Sequence, residues 1–353
     1  MDRRYFLHAG ATLAGAFAAR SAFPAALAAA VATDETYPLL RDAALAPSSH
    51  NTQPWQVRLH DARRWTLSPA TGRALPVVDP QGRELWESLG AFIVALDVSA
   101  AARGLHVESA FAAEPAPRVD ITFSASAADS TGLAALRRRR TLRRELGPVG
   151  NAGALVAACA GRSSSAHFFA AGTPGAQTLA GATLEANRLQ AADDAVWVEL
   201  ARWIRWRESE ARADPTGITP EMMELPWLAR RWVEATYSQA DVLAPAFRER
   251  STALVEQQAR EGAGWIVFVT DDEGPRDWLR AGADLMRLWL RGVPLALAVH
   301  PMSQSLEIPA ARAALENALG IGRVHLLVRV GSRAYPQGRV SPRLAPAEIS
   351  IDA

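Results

Sequence analysis

The chain has 353 residues, of which 49% are hydrophobic and 21% charged, and its 38 basic residues balance 37 acidic ones to a net charge of +1. This composition is typical of a globular protein that can bury one large core or two medium ones, and it excludes global disorder. The balanced charge argues against nucleic acid or an anionic membrane as a partner. A small-molecule substrate or electron acceptor is the expected partner.

The types of reactive residue narrow the chemistry further. The chain contains no lysine, so a Schiff-base lysine and the lysine of a phosphate-binding P-loop are excluded. The single cysteine, Cys159, allows neither an internal disulfide nor a cysteine-built metal site. The seven histidines lack metal-ligand spacing, and no G-x-S-x-G or G-x-G-x-x-G segment occurs. We therefore expect no bound metal and no hydrolase triad.

The N-terminus has the pattern of an export signal. Arg3 and Arg4 precede an aromatic residue and a leucine, and an alanine-rich apolar stretch follows, with A-x-A cleavage patterns between residues 26 and 32. The pattern resembles a twin-arginine signal, which predicts recognition of residues 1–32 by that export machinery and a periplasmic mature protein. A membrane anchor is the alternative, but glycine, arginine and proline interrupt the stretch. No other segment is apolar enough to predict a stable membrane span.

The first part of the mature chain is predicted to mix helices and strands. A short helix is expected over residues 35–45, followed by strands at Trp55–Leu59 and Trp65–Leu67, where apolar and polar residues alternate. Apolar residues at helical spacing predict a helix over Glu84–Arg103, ended by Gly104.

The later part is predicted to contain a second sheet and a helical insert. A strand at Val119–Phe123 precedes a small-residue run that suggests a domain boundary near residue 130. The apolar segments Trp265–Val269 and Val324–Val328 are expected to be central strands. Between them and the boundary, residues 184–257 are predicted to be helical and hold five tryptophans, expected in the core by default or, alternatively, over a flat cofactor.

A weak internal repeat links the two parts. Arg83-Glu84-Leu85-Trp86 leads to Gly90-Ala91 and a helix, and Arg276-Asp277-Trp278-Leu279 leads to Gly282-Ala283 and another helix. The repeat favours two related halves, although two amphipathic helices with glycine caps can look alike by chance.

Three short segments could form a ligand site. Five polar side chains, including Thr52, crowd the loop before Trp55, and the alternative is an ordinary capping turn. A run of arginines beside a threonine could hold a phosphate, and the alternative is a solvated basic face. A polar loop follows an apolar run that begins at Val293, and near the C-terminus Arg339 and Arg343 could add a phosphate clamp. The candidate residues are Ser48, Ser49, Asn51, Gln53, Arg139, Arg140, Thr141, Arg143, Pro301, Met302, Ser303, Gln304 and Arg343.

These segments together resemble the flavin-dependent nitroreductase superfamily, most closely its Acg-like branch, in which two nitroreductase-type halves are fused. Ala46 to Trp55 is similar to the family's P-S-x-x-N-x-Q-P-W element, which lines the flavin ring, and Arg139 to Arg143 is similar to its phosphate-gripping R-R-S/T-x-R element. Pro301 to Gln304 corresponds to the P-x-G-G-type loop beside the redox-active nitrogen, with the glycines replaced. The order of the first two elements is reversed relative to ordinary nitroreductases, and the family's flavin-contacting lysines are absent.

The resemblance implies an FMN cofactor held by the candidate residues and an α+β, three-layer α/β/α fold built as a pseudo-dimer. The implied halves are residues 33–130 and 131–353, the second carrying the helical insert, in a chain that is either monomeric or homodimeric. The implied activity is hydride transfer through the flavin to a nitroaromatic, a quinone or a similar acceptor. A protein that stores FMN under the insert, with little turnover, is the alternative, and an unliganded structural protein is the third.

Overall fold

The structure, a computed structural model, describes residues 36–161, 165–270, 272–338 and 340–352. The predicted export signal and Arg339 lie outside these ranges. Within them the chain is a mixed α+β protein whose strands form two separate sheets. None of the described helices is both long and apolar enough to cross a membrane.

The first sheet has the strand order β3-β4-β2-β1-β9. Its strands are β1 (Trp55–Leu59), β2 (Arg64–Pro69), β3 (Leu105–Ala112), β4 (Arg118–Ala125) and β9 (Ser350–Asp352). The predictions for β1, β2 and β4 are confirmed, and their alternation buries Trp55 and Val57 while Arg58 faces solvent. β9, at the end of the chain, pairs in parallel with β1. This sheet therefore combines residues from both sides of the boundary predicted near residue 130.

The second sheet has the order β5-β6-β8-β7 and is antiparallel throughout. Its strands are β5 (Ala166–Ala170), β6 (Gly264–Thr270), β7 (Leu297–Pro301) and β8 (Arg323–Ser332). Every residue of β6 is buried, as is the interior of β8. The prediction that these two apolar segments are central strands is confirmed.

Two long helices pack against each other between the cores of the two sheets. They are α2 (Arg83–Ala101), close to the predicted bounds, and α11 (Pro275–Gly292). The contact includes Gly90 and Gly282, which bring the two backbones together at the point where the sequence repeat places them. Buried residues of α11 join the apolar cores of both sheets, so this helix connects them.

The remaining helices surround this centre. They are α1 (36–43), α3 (Leu133–Arg138), α4 (Ala152–Ala160), α5 (Pro174–Ala191), α6 (Asp194–Arg202), α7 (Glu208–Ala213), α8 (Trp227–Thr236), α9 (Gln239–Leu243), α10 (Pro245–Arg260), α12 (Gln304–Glu307), α13 (Pro309–Leu319) and α14 (Pro346–Ile349). The segment over residues 184–257, the helical insert, is predominantly helical as predicted. It has a small apolar core of its own around Trp197 and Trp206.

The tryptophans of the helical insert divide into two environments. Trp197 and Trp206 are buried, whereas Trp227 and Trp232 on α8 are 64% and 56% exposed. The default prediction of buried indoles is therefore wrong for these two. α8 is a short surface helix that buries Val233 on one side, so its tryptophans lie on the side that faces solvent.

Candidate functional site

The polar loop before β1 has a constrained backbone. Residues Ser49–Asn51 form a single 3-10 turn, and His50, Asn51 and Gln53 have φ angles of 48°, 55° and 52°. Non-glycine residues adopt this left-handed region only where surrounding contacts hold them, and such residues cluster at functional sites. The contacts that hold this loop come from three distant parts of the chain.

Asn51 and Gln53 supply most of these contacts. Asn51 Nδ2 donates to the carbonyl of Gly217 in the helical insert at 3.0 Å, and its Oδ1 accepts from Arg343. Gln53 is fully buried, and its amide donates to Pro215 at 2.7 Å and accepts from the backbone of Leu344 at 2.9 Å. Both ends of the Gln53 amide are thus engaged by the protein, so this side chain stabilises the loop.

A cavity of about 400 Å³ opens beside the loop, within the size range of small-molecule and cofactor sites. It is lined by residues from all three predicted segments, although they are far apart in the sequence. The candidate residues along its wall are Ser48, Ser49, Asn51, Arg139, Arg140, Thr141, Arg143, Pro301, Met302, Ser303, Gln304 and Arg343. Gln53 lies behind the wall.

Arg139 is a buried cation that lines this cavity. Its side chain is 8% exposed, stacks on Trp289 with 4.6 Å between the guanidinium carbon and the ring centre, and donates Nη2 to the carbonyl of Leu45 at 2.8 Å. Its Nε and Nη1 are buried without a hydrogen-bond partner. Burial lowers the pKa of Arg139 to about 10, so the group stays charged at neutral pH. A buried charge whose donors have no acceptors destabilises the protein unless a bound anion supplies those acceptors.

The neighbouring arginines are held by backbone carbonyls. Arg140 donates to the carbonyls of Pro336 and Gln337 at 3.2 and 3.1 Å. Arg143 donates Nη1 to Met222 in the helical insert at 2.7 Å, and burial lowers its pKa. These contacts orient both guanidinium groups at the cavity wall, which Thr141 also lines. Each guanidinium keeps further N–H donors that a ligand could use.

A group of buried carboxylates on α2 also lines the cavity, and the sequence analysis did not identify it. Arg83, itself buried, donates to Glu84 at 2.9 Å and to Glu87 at 3.1 Å. Ser49 donates its hydroxyl to Glu84. Burial raises the pKa of Glu84, but Arg83 and hydroxyl donors outweigh burial and lower it, whereas burial raises the pKa of Glu87 well above its usual value. The sequence did contain a signal for this group, because Arg83, Glu84 and Glu87 are charged residues on the buried face of a helix.

The segment after β7 carries a third acid, Glu307, at the end of α12. Ser303 donates its hydroxyl to Glu307 at 2.6 Å, and Gln190 from the helical insert donates its amide to the same carboxyl. Burial, followed by the nearby charge of Glu84, raises the pKa of Glu307 to about 8, so this carboxyl holds a proton at neutral pH. In the same segment Met302 is buried, and Gln304 has a buried, unpartnered Oε1.

The helical insert closes one side of the cavity. Its lining residues come from α5, α6, α10 and the connecting loops, and include Trp197, Leu200 and Met222. Glu199, which is buried, anchors α6 by accepting from the backbone N–H groups of Val77 and Val78 at 2.9 and 3.0 Å. The insert is therefore tied to the part of the chain that carries the polar loop.

His50 is the remaining unsatisfied group of the loop. Its Nδ1 is buried without a partner, and burial lowers its pKa against the opposing charge of Glu84. Among the described residues, no group of His, Cys, Asp or Glu side chains could hold a metal ion. His50, Arg139 and Gln304 line the cavity and each has a buried polar atom without a partner, a set that matches an organic ligand with an anionic end and polar edges.

Comparison with known proteins finds similar curated proteins and a similar solved structure. No family model matches the chain. Two curated proteins of Mycobacterium tuberculosis, from strains CDC 1551 and H37Rv, have names that describe them as proposed NAD(P)H nitroreductases. Each is 26% identical to the chain over 301 residues, which covers 81% of the chain and 81% of the relative.

Among solved structures, a nitroreductase-like family protein from Bacillus cereus matches the chain with a TM-score of 0.35 and 12% identity. The match covers 64% of the chain and 96% of the Bacillus cereus protein. The sequence similarity to the two mycobacterial proteins extends over most of the chain, and it supports a relationship to the nitroreductases.

Proposed function

We propose that the protein is an FMN-binding oxidoreductase of the nitroreductase type. The observation that carries the proposal is Arg139, a buried, charged side chain at the cavity with two unpartnered donors. The phosphate of FMN has the charge and the oxygen acceptors that these donors require. The similarity to proteins named NAD(P)H nitroreductases supports the same class of reaction.

The remaining lining residues fit the other parts of FMN. Arg140, Thr141, Arg143 and Arg343 would bind the phosphate with Arg139. Ser48, Ser49, Asn51 and the loop Pro301, Met302, Ser303 and Gln304 would border the ring system, whose carbonyls and ring nitrogens require both donors and acceptors. Gln53 would hold the loop in shape. His50 would provide a ring nitrogen, Nδ1, and Gln304 would provide a side-chain carbonyl oxygen, Oε1, to pair with the polar edge of the flavin ring.

Bound FMN would supply hydride transfer between a nicotinamide donor and a nitroaromatic, quinone or similar acceptor. The chain's own contribution is to orient the ring, to exclude water with the helical insert and to keep a protonated carboxyl at Glu307. The proposal includes two fused nitroreductase-like halves, residues 33–130 and 131–353, and export of the folded protein to the periplasm.

A second function, storage of FMN with little turnover, is favoured by one specific observation. Glu199 ties the helical insert down over the cavity by two backbone hydrogen bonds, which would restrict access of a nicotinamide donor. Anaerobic mixing of the loaded protein with excess NADPH separates the two functions. Rapid bleaching of the flavin absorbance supports the oxidoreductase, and an unchanged spectrum supports storage.

The binding of FMN is tested by comparison with riboflavin, which has the same ring system but no phosphate. We expect the wild-type protein to bind FMN more tightly than riboflavin, measured by quenching of flavin fluorescence. Arg139→Met should weaken FMN binding at least about tenfold, since it removes charge-assisted hydrogen bonds, and should leave riboflavin binding nearly unchanged.

Arg137→Met is the matched control, because Arg137 bonds to Asp42 and does not line the cavity. Equal affinity of the wild-type protein for FMN and riboflavin would contradict the assignment of the arginines to the phosphate. An absence of any flavin binding would contradict the proposed function.

A further inference from the structure

His300 lies on β7 at the wall of the cavity, outside the segments that the sequence analysis selected. It is 8% exposed and is paired in the sheet register with Arg329 on β8. Arg329 is fully buried, although it carries a guanidinium group. The contact between these two side chains determines what His300 can offer to a ligand.

Arg329 determines which nitrogen of the His300 ring carries the proton. Its Nε lies 3.0 Å from His300 Nδ1, and a guanidinium group can only donate hydrogen bonds. His300 Nδ1 must therefore accept with its lone pair. In a neutral imidazole the proton is then on Nε2, so the nitrogen left for other partners is an N–H donor.

The rest of the guanidinium is held in place by three further acceptors. Its Nη1 donates to the carbonyl of Gln258 at 2.8 Å and to Glu261 at 3.3 Å, and its Nη2 donates to the carbonyl of Arg143. Arg329 cannot rotate away from His300 without breaking these bonds inside the protein. The tautomer of His300 is therefore set by a rigid neighbour.

The charges around His300 oppose its protonation. Burial, the adjacent guanidinium of Arg329 and the nearby charge of Arg143 hold the pKa of His300 well below its usual value. The carboxylate of Glu261 is bonded to Arg329. Within the described part of the chain, His300 Nε2 has no hydrogen-bond partner, and the residue lines the cavity.

We infer that His300 is a ligand-binding residue that remains neutral across the physiological pH range and donates its Nε2–H to an acceptor atom of FMN. The inference rests on the proposed function. It is supported by the position of His300 on the cavity wall, directly before the Pro301–Gln304 segment assigned to the ring and close enough to Arg143, assigned to the phosphate, to be affected by its charge. A neutral donor can bind an oxygen or nitrogen of the cofactor without adding a charge whose state changes with pH.

The tautomer is tested without any ligand. In protein labelled with nitrogen-15 at histidine, two-dimensional NMR should show His300 with an unprotonated Nδ1 and a protonated Nε2, unchanged between pH 5.5 and pH 8. The His300→Gln spectrum, which lacks these signals, assigns them. Titration of the ring in this pH range, or a proton on Nδ1, would overturn the inference.

The contact with FMN is tested by two replacements. His300→Gln retains an acceptor for Arg329 and an N–H donor for the ligand, so it should bind FMN within about twofold of the wild-type protein. His300→Phe removes both and should bind FMN about three- to tenfold more weakly, the range for one lost hydrogen bond.

If His300→Phe binds FMN as tightly as His300→Gln, the inference is overturned while the proposed function stands. If the wild-type protein binds no flavin, the proposed function fails and the assignment to FMN fails with it. In that case the NMR spectrum still reports on the tautomer.

Discussion

Gly90 on α2 and Gly282 on α11 pack against each other's helix in a reciprocal contact. A Cβ atom at Gly90 would lie 1.9 Å from the carbonyl oxygen of Leu279, and one at Gly282 would lie 1.9 Å from that of Glu87. Each glycine thus faces the residue three positions before the other. Such an exchange of equivalent contacts is typical of a two-fold interface, here within one chain, and it favours the proposal of two related halves.

This contact leads to a prediction about stability. Gly90→Ala and Gly282→Ala should each lower the free energy of unfolding by about 1–3 kcal/mol, because the added methyl group forces two helix backbones apart. The measurement is urea unfolding followed by circular dichroism.

Gly181→Ala is the control for these two variants. Gly181 is also inside a helix, α5, but nothing lies within 4 Å of its potential Cβ position. This change should be neutral or should raise the free energy of unfolding by up to about 1 kcal/mol, since alanine is the better helix former. Equal effects at all three positions would contradict the close approach of α2 and α11.

Glu199 provides a prediction about the closure of the cavity. Glu199→Gln retains only one carbonyl-type acceptor for the N–H groups of Val77 and Val78, so α6 should detach more often from this segment. We expect faster amide hydrogen exchange over residues 184–257 and release of FMN that is several-fold faster in stopped-flow measurements.

Glu185→Gln, at an exposed position of α5 in the same insert, is the control for this experiment. It should leave both the exchange and the release rates at the wild-type values. If Glu199→Gln releases FMN at the same rate as Glu185→Gln, the insert does not restrain the ligand through Glu199.

Glu307 leads to a prediction about pH. Its pKa is about 8 in the folded protein and 4.5 in its ordinary state, so between these values the folded form binds more protons than the unfolded form. Stability therefore falls as the pH rises. The contribution of this group is fully present below about pH 4.5 and is lost as the pH passes about 8.

Glu307→Gln removes this titration and keeps a polar side chain of the same shape. Between pH 5.5 and pH 8.5 its free energy of unfolding in urea should fall less than that of the wild-type protein. Glu208→Gln, at a solvent-exposed position, should follow the wild-type profile. Parallel profiles for Glu307→Gln and the wild-type protein would show that Glu307 ionises normally.

The local elements of this protein were accessible from the sequence. The bounds of β1 and the centres of β6 and β8 followed from alternation and from apolar runs, because these patterns report how a strand is buried. α2 was similarly evident from its helical spacing. β3 was not predicted, although Leu105, Val107 and Phe111 lie on one of its faces and pack against the core of the first sheet.

The candidate site could be predicted only in part. Arg139 and Ser303 were found because they lie in short segments that resemble known elements. Glu307 and His300 were missed because a single carboxylate or imidazole carries no signal of its own, whereas Glu84 was missed although charged residues on the buried face of α2 were a signal. Their properties come largely from neighbours distant in the sequence, such as Ser49 beside Glu84 and Arg329 beside His300.

The sequence by itself determined the secondary structure of the main strands and helices, the absence of lysine chemistry and the three segments that border the cavity. Only the tertiary structure decided that Gln53 supports the loop, that Arg329 donates to Nδ1 of His300 and that burial raises the pKa of Glu307. The physical reason is that hydrophobic periodicity is local, whereas hydrogen-bond partners and pKa values depend on burial and on charges brought together by folding.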